Sequence, residues 1–147
     1  MPYTTNLLTL TSTFALACQP TPQPGASTAA TGVTIDVDRV SYAAGDRVEL
    51  RITNHANETL GFNPCTRSIE RRQGDAWSLI VEADRVCTMQ LYLLDAHATR
   101  TEATELPARL ERGTYRLVLT FTRESAGVTP GTPASTIRAT TPTFQVQ

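Results

Sequence analysis

The strongest constraint on the fold of this chain is an alternation of apolar and polar side chains that begins near Val33. The clearest example is the segment TYRLVLTFT, in which Tyr115, Leu117, Leu119 and Phe121 are separated by single residues. A period of two predicts strands with one face in a core and the other in water. Helical periodicity is nearly absent, and only residues 106–112 could form a single turn. The sequence therefore predicts an all-β domain.

Runs of this kind, separated by turn residues, predict seven or eight short antiparallel strands packed as a sandwich. The predicted strands cover residues 33–37, 47–53, 59–63, 68–72, 76–81, 99–103, 115–122 and 137–146, and residues 86–94 are ambiguous. The side chains predicted to be buried are Leu50, Ile52, Leu117, Leu119 and Phe121. Those predicted to point outward are Glu49, Arg51, Arg116 and Thr120, because the pleat alternates faces.

Ahead of the strands, an apolar run ends in Ala15-Leu16-Ala17-Cys18. This ending resembles the lipobox of bacterial lipoprotein precursors. The resemblance implies a signal peptide at residues 1–17 that is cleaved just before Cys18, and a diacylglyceryl group on the Cys18 sulfur. The alternative is an N-terminus that is disordered or forms an edge strand, with Cys18 as an ordinary thiol. The run is too short and too polar for a membrane-spanning helix.

Residues 18–32 form the next unit, an anchor cysteine followed by a linker. The linker contains three prolines, no aromatic residue and no charge, so we expect a flexible tether with a reach of roughly 30–40 Å. Residues 33–147 remain for one folded domain. Gln19 offers no aspartate as an inner-membrane retention signal, and we therefore expect a lipid-anchored envelope protein at the outer membrane or cell surface.

The three cysteines divide into the anchor residue and a pair. In an exported, oxidising compartment, Cys65 and Cys87 are candidates for a disulfide. The alternative is two separate buried thiols. Neither His55 nor His97 has ligand spacing to these cysteines, which argues against a zinc site.

Two further patterns indicate a specific kind of sandwich. The first is Tyr42-x-x-Gly45-Asp46-x-Val48-x-Leu50-x-Ile52, and the second is Leu110-x-x-Gly113-x-Tyr115-x-Leu117. Together with Thr59-Leu60-Gly61-Phe62 and Trp77, they resemble bacterial Ig-like modules, including those grouped with the BsuPI-type intracellular proteinase inhibitors and short Ig-like lipoproteins.

The Ig-like resemblance implies structural roles for Gly45, Gly113 and Tyr115, with the Tyr115 hydroxyl forming a tyrosine corner. Trp77 is expected to fill the core. Position 117 holds leucine where an antibody-type domain has its second cysteine. The Cys65–Cys87 pair is therefore expected to join the strand after Phe62 to the segment that follows the Trp77 hairpin.

The sequence contains no recognisable catalytic constellation. No serine lies in a Gly-x-Ser-x-Gly elbow, and there is no Gly-rich phosphate loop or His-Glu-x-x-His motif. Both histidines are expected in solvent, and a calcium site at Asp36, Asp38 and Asp46 is a minor alternative to solvent-facing carboxylates. We expect no enzyme activity, no cofactor and no bound metal.

A net charge of −1, without a basic stripe, also argues against nucleic-acid binding. The expected role is a monomeric binding or spacer module that contacts an envelope protein or polysaccharide and a membrane lipid through Cys18. The alternative is a proteinase inhibitor that uses the exposed loop 125–135. A third class is a hydrolase whose site one sequence does not reveal.

Overall fold

The structure, a computed structural model, describes residues 32–83, 85–123 and 135–147. The predicted signal peptide, Cys18 and all but the last residue of the linker lie outside these ranges. So does the loop 125–135, except for Ser135.

The described chain is almost entirely β-structure, as the alternation predicts. Its only helical element is a 3₁₀ turn at Pro64–Thr66. The strands are β1 (Val33–Val37), β2 (Ser41–Tyr42), β3 (Arg47–Asn54), β4 (Leu60–Phe62), β5 (Ser68–Gln73), β6 (Ala76–Ile80), β7 (Tyr92–Leu94), β8 (Thr99–Glu105), β9 (Gly113–Arg123), β10 (Thr136–Thr140) and β11 (Phe144–Val146). Residues 106–112, a possible helical turn, contain only a tight turn at Pro107–Leu110.

Two sheets pack face to face and form a sandwich. The smaller sheet has the order β1-β3-β8 and is antiparallel. The larger is built around β9, which pairs with β4 and β5 along one edge and with β10 and β11 along the other. Strand β2 adds parallel to β11, while β6 pairs with β5 and β7 pairs with β4. The predicted antiparallel sandwich is confirmed.

The strand segments outnumber the seven or eight expected, for local reasons. The predicted strand 137–146 is divided, because Pro142 has no N–H to donate to a ladder. Thr141 occupies the gap: its N–H donates to the Leu117 carbonyl at 2.9 Å, and its hydroxyl accepts from the Leu117 N–H at 3.0 Å. The short strands β2 and β7 account for the other additions.

The core lies between the sheets, where the five side chains predicted to be buried are at most 1% exposed. The remaining large core residues are Val33, Ile35, Val37, Tyr42, Val48, Leu60, Phe62, Ile69, Leu94, Leu106, Tyr115, Ile137, Phe144 and Val146. Glu49, Arg51 and Thr120 are exposed, and Arg116 points outward under partial cover, so the predicted facing of these strands is correct.

The prediction that Trp77 fills the core is wrong. The two-residue turn of the β5–β6 hairpin places Trp77 directly opposite Arg72, and Ile69 opposite Ile80. Residues directly opposite each other share a face, and Ile69 is buried. Trp77 therefore lies on the outer face of the larger sheet, where it is partly exposed.

The glycines and the tyrosine singled out from the sequence occupy structural positions. The Tyr115 hydroxyl donates to the Glu111 carbonyl at 2.7 Å, four residues upstream, and burial raises the pKa of Tyr115. A Cβ at Gly113 would lie 3.0 Å from Nε of Arg71, whose guanidinium reaches the Glu111 carboxylate and the Arg112 carbonyl. Gly45 has a φ of +85°, which its tight turn requires.

One side of the sandwich is open. Strand β1 packs against β10 and β8 packs against the 3₁₀ turn, so the smaller sheet reaches only as far as the β4/β5 row. The larger sheet continues one row further, with β6 and β7. The chain between β6 and β8 pairs with β4 and adds no strand next to β8. This leaves a shelf along the open side, and the candidate site lies there.

Candidate functional site

On the open side, the larger sheet ends in two rows of strands, β4 with β5 and then β7 with β6. Each row has a gap between its two strands, and the two gaps lie side by side. Strands β4 and β5 are separated by residues 63–67, and β6 and β7 by residues 81–91. The Cys65–Cys87 disulfide joins these two interruptions, with its Cα atoms 5.5 Å apart. It links the segment after Phe62 to the segment after the Trp77 hairpin, as the resemblance implied. The Asn63 amide adds a second link by donating to the Thr88 carbonyl at 2.7 Å.

Arg67 is the centre of this junction. Its side chain is 1% exposed, so its charge has to be compensated by neighbouring groups. The guanidinium donates to the Glu82 carboxylate at 2.7 Å, the Thr104 hydroxyl at 2.5 Å and the Glu105 carbonyl at 2.6 Å. Burial lowers the pKa of Arg67, and the bond to Glu82 opposes that shift. Arg67 thus connects the interrupted rows to β8 across the gap between the sheets.

An open cleft of about 1110 Å³ lies between residues 102–110, which are the end of β8 and the loop after it, and residues 80–83 with Arg85. Arg67, Glu82 and Arg85 line one part, with Glu82 bonded to both arginines. Ile80 and Tyr92 line another part of the cleft, and both are partly buried against the hydrophobic core. The cleft therefore combines a paired charged cluster with a short apolar floor.

Most of the exposed large apolar side chains lie on the β6/β7 row and on the chain that connects its two strands. Seven large apolar side chains are exposed among the described residues: Val40, Leu79, Val81, Val86, Met89, Leu91 and Leu93. All but Val40 lie between residues 79 and 93, and we call these six the apolar stripe. Clustered exposed apolar side chains mark interaction sites, whereas isolated ones do not. The disulfide and the Arg67 bonds hold the middle of this segment in place.

A charged network covers the neighbouring part of the outer face. Glu70 accepts from Arg116 at 2.7 Å and also from Arg138, and the Arg116 guanidinium lies 4.1 Å from the centre of the Trp77 ring. Because Arg138 lies opposite Thr120 and Glu70 opposite Arg116, the network crosses β9 at Val118. This explains why Val118 is only 3% exposed although it points outward.

The Glu70 network predicts a loss of stability in acid. Burial alone would raise the pKa of Glu70, but the bonds from Arg116 and Arg138 outweigh it and hold the pKa below its usual value. A lowered native pKa stabilises the fold above the unfolded pKa, and this stabilisation is lost as pH falls through the native value. We expect Glu70→Gln to cost about 1–2 kcal/mol near neutral pH.

The measurement is urea unfolding at neutral pH and at a pH below the pKa of Glu70. The wild type and Glu70→Gln are expected to converge in acid, while Glu49→Gln, at an exposed site, tracks the wild type throughout. A difference between wild type and Glu70→Gln that is independent of pH would contradict the role assigned to the carboxylate.

The other polar residues considered from the sequence are used structurally or face solvent. Among the described residues, no group of three or more histidine, cysteine or acidic side chains is arranged to hold a metal ion. Asp38 and Asp46 each form an ion pair with Arg39, and Asp36 on β1 lies opposite Arg51 on β3. His55 and His97 are exposed, and each bonds one polar side chain.

Residues 81–91 are the part of the site that the sequence did not reveal. The apolar run 86–94 was ambiguous, and only Tyr92–Leu94 is a strand. The one available signal was Cys87, because its predicted disulfide with Cys65 would fix this run to the segment after Phe62. Of the loop 125–135, proposed as an inhibitory loop, only Ser135 is described. Its carbonyl accepts a hydrogen bond from the Arg123 N–H at 3.1 Å.

None of the helices in the described part of the chain is long and apolar enough to cross a membrane. No curated protein matches the sequence. One similar solved structure is the ASH / PapD-like domain of human CEP192 (PapD-like domain 7), with 15% identity and a TM-score of 0.37 over 90% of this chain and 97% of that one.

A family model supplies the classification. The model of the bacterial Ig-like domain matches residues 29–133, which is most of the chain and includes every strand from β1 to β9. The match agrees with the two-sheet sandwich. The chain belongs to the bacterial Ig-like domain family.

Proposed function

We propose that this chain is a non-catalytic binding module of the bacterial cell envelope, held on a membrane by a lipid on Cys18. The anchor is supported by the Ala15–Cys18 ending of the apolar run and by the proline-rich segment after it. The Cys65–Cys87 disulfide is consistent with an oxidising compartment outside the cytoplasm.

The apolar stripe is the observation that carries the binding role. It contains the two most exposed large apolar side chains of the described residues, Met89 at 98% and Val86 at 93%. Exposing such groups together is unfavourable, because each loses free energy that burial would supply. A spacer would not need a stripe of this kind. We therefore assign it to a partner protein with a complementary apolar surface.

Two matched substitutions test the stripe. Leu79 is 60% exposed within it, and Val40 is 57% exposed outside it. We expect Leu79→Arg to reduce cross-linking of the protein to its partner in intact envelopes by about tenfold, since a charge within an apolar contact is poorly solvated. Val40→Arg should leave cross-linking unchanged. Equal effects of the two substitutions, or none from either, would rule out the stripe as the contact.

A separate experiment tests the anchor. Cys18→Ala removes the acyl acceptor, so we expect it to abolish incorporation of labelled fatty acid and to move the protein from the membrane fraction to the soluble fraction. Cys65→Ala should keep the label, because that sulfur belongs to the disulfide. A wild-type protein without label, or a Cys18→Ala protein that stays labelled and membrane-bound, would show that Cys18 is not lipidated.

The resemblance to BsuPI-type inhibitor domains supplies the alternative function. Its proposed contact, the loop 125–135, lies outside the described residues except for Ser135. Inhibition of a panel of serine, cysteine and metalloproteinases by the wild type, but not by a variant with the loop shortened, would favour it over the envelope binding module.

A further inference from the structure

The Glu70 network and the apolar stripe meet on the outer face of the larger sheet. Leu79, which belongs to the stripe, lies directly opposite Glu70 in the β5–β6 ladder, and Trp77 lies opposite Arg72. Residues directly opposite each other share a face, with Cβ atoms about 4.5–5.5 Å apart. Because a strand alternates faces, Trp77 and Leu79 point the same way. The charged network therefore continues directly into the apolar side chains of β6.

This surface carries an excess of positive charge, although the whole chain has a net charge of −1. The outward-pointing residues of β5, β6, β9 and β10 include one acid, Glu70, and three arginines, Arg72, Arg116 and Arg138. Arg72 pairs with Asp75 in the hairpin turn at 3.6 Å. Glu70 bonds both other arginines. Two guanidinium groups therefore share one carboxylate, which leaves one positive charge beside Leu79.

Of these two arginines, Arg138 is the one that a partner can reach. Its side chain is 58% exposed, whereas Arg116 and Glu70 are largely covered. The Arg116 guanidinium is held in place by Glu70 and by the Trp77 ring. A guanidinium has five N–H donors in a fixed fork. Among the described residues the Arg138 guanidinium bonds only Glu70, through Nη2, so its Nε and Nη1 donors are available to a second carboxylate.

The residue types on this surface are those that protein interfaces favour. Arginine, tryptophan and methionine are enriched in such interfaces, and tryptophan and arginine supply many of the strongest contacts. Here Trp77, Arg116 and Arg138 adjoin the stripe that contains Met89. A symmetric contact between two copies through this face would bring two arginine clusters together, which like-charge repulsion opposes. The charge instead favours a different protein with an acidic side chain.

We propose that the Glu70 network and the apolar stripe form one contact surface, and that the partner protein places an aspartate or glutamate against Arg138 and Arg116. Apolar side chains of the partner cover Leu79 at the same time, and the exclusion of water strengthens the neighbouring ion pair. Glu70 competes with the partner's carboxylate for the same guanidinium groups. The inference rests on the proposed binding role and adds the chemistry of the partner, a carboxylate next to apolar side chains.

The test starts from a random library of short peptides, selected on the full-length protein. We expect the enriched peptides to combine Asp or Glu with apolar residues. Arg138→Gln should weaken their binding about fivefold, because it removes the ion pair while its amide can still bond Glu70. Arg51→Gln should leave binding unchanged, since Arg51 is exposed on the outer face of the smaller sheet.

A change in the peptide completes the comparison. Replacing its acidic residue by the matching amide should weaken binding to the wild type as much as Arg138→Gln does, and should cost nothing further in that variant. An equal loss in both proteins would show that the acid contacts another part of the chain. The measurement on the wild type alone remains informative if the variant does not fold.

Glu70→Gln gives an effect in the opposite direction. It removes the competing carboxylate, so we expect the same peptides to bind about threefold more tightly, although the variant is less stable. A purely structural role of Glu70 would weaken binding or leave it unchanged, and either result would overturn the inference. So would failure to enrich any peptide, enrichment of peptides without an acidic residue, or a wild-type dimer that Arg138→Gln dissociates.

The outcomes also separate this inference from the proposed function. Reduced cross-linking of Leu79→Arg in intact envelopes, together with undiminished peptide binding to Arg138→Gln, would leave the binding module standing and overturn only the acidic contact. Weakened peptide binding to Arg138→Gln, together with undiminished cross-linking of Leu79→Arg, would remove the stripe from the contact. The network would then bind without the stripe, which contradicts a single surface.

Discussion

Substitution of Arg67 by alanine is expected to lower the free energy of unfolding by about 3–5 kcal/mol. The side chain is almost completely buried and makes bonds to a carboxylate, a hydroxyl and a carbonyl. Its removal leaves Thr104 and the Glu105 carbonyl without their partner and Glu82 with Arg85 alone. Buried acceptors that lose their donor retain the cost of desolvation.

Urea unfolding of Arg67→Ala beside Arg47→Ala measures this effect. Arg47 is an exposed arginine on the outer face of β3, so its truncation should change stability by less than about 0.5 kcal/mol. A cost below about 1 kcal/mol for Arg67→Ala would mean that water replaces the guanidinium in the junction. The link from the interrupted rows to β8 would then contribute little to stability.

The second large effect is expected in the core of β9. Leu119 is 1% exposed, and Leu119→Ala should cost about 2–5 kcal/mol from lost apolar burial and the cavity left behind. Its neighbour Thr120 is exposed on the other face, and Thr120→Ala should cost less than about 1 kcal/mol. Thermal and chemical unfolding of both variants measures the contrast. Equal costs would mean that β9 is buried on both faces.

The sheets were predictable because alternation reports directly on which face of a strand is buried. The segment 115–122 has one register that hides its large apolar side chains, and the structure adopts it. The same reasoning applied to the β5–β6 hairpin corrects the prediction for Trp77. Its two-residue turn pairs Ile69 with Ile80 on one face and Arg72 with Trp77 on the other. An arginine directly opposite indicates the solvent side.

The open shelf was not predictable from the sequence, because it depends on which strands pair at a distance. Nothing local in Tyr92–Leu94 shows that it pairs with β4 rather than continuing towards β8. Arg67 likewise has the sequence context of an ordinary surface arginine. Arg67 is buried because the gap between β4 and β5 lies beside the gap between β6 and β7. That arrangement is a property of the assembled sheet.

The paired interruptions also determine where this fold can vary. Residues 88–91 follow the disulfide and precede β7, and they lie outside both ladders. Inserting residues there would lengthen the segment that carries part of the apolar stripe. It would not shift the register of β6 on β5 or of β7 on β4, because each register is set by its own pairing. Closure of a longer loop costs little entropy. Related chains can therefore diversify their partners at this position while the sandwich beneath stays the same.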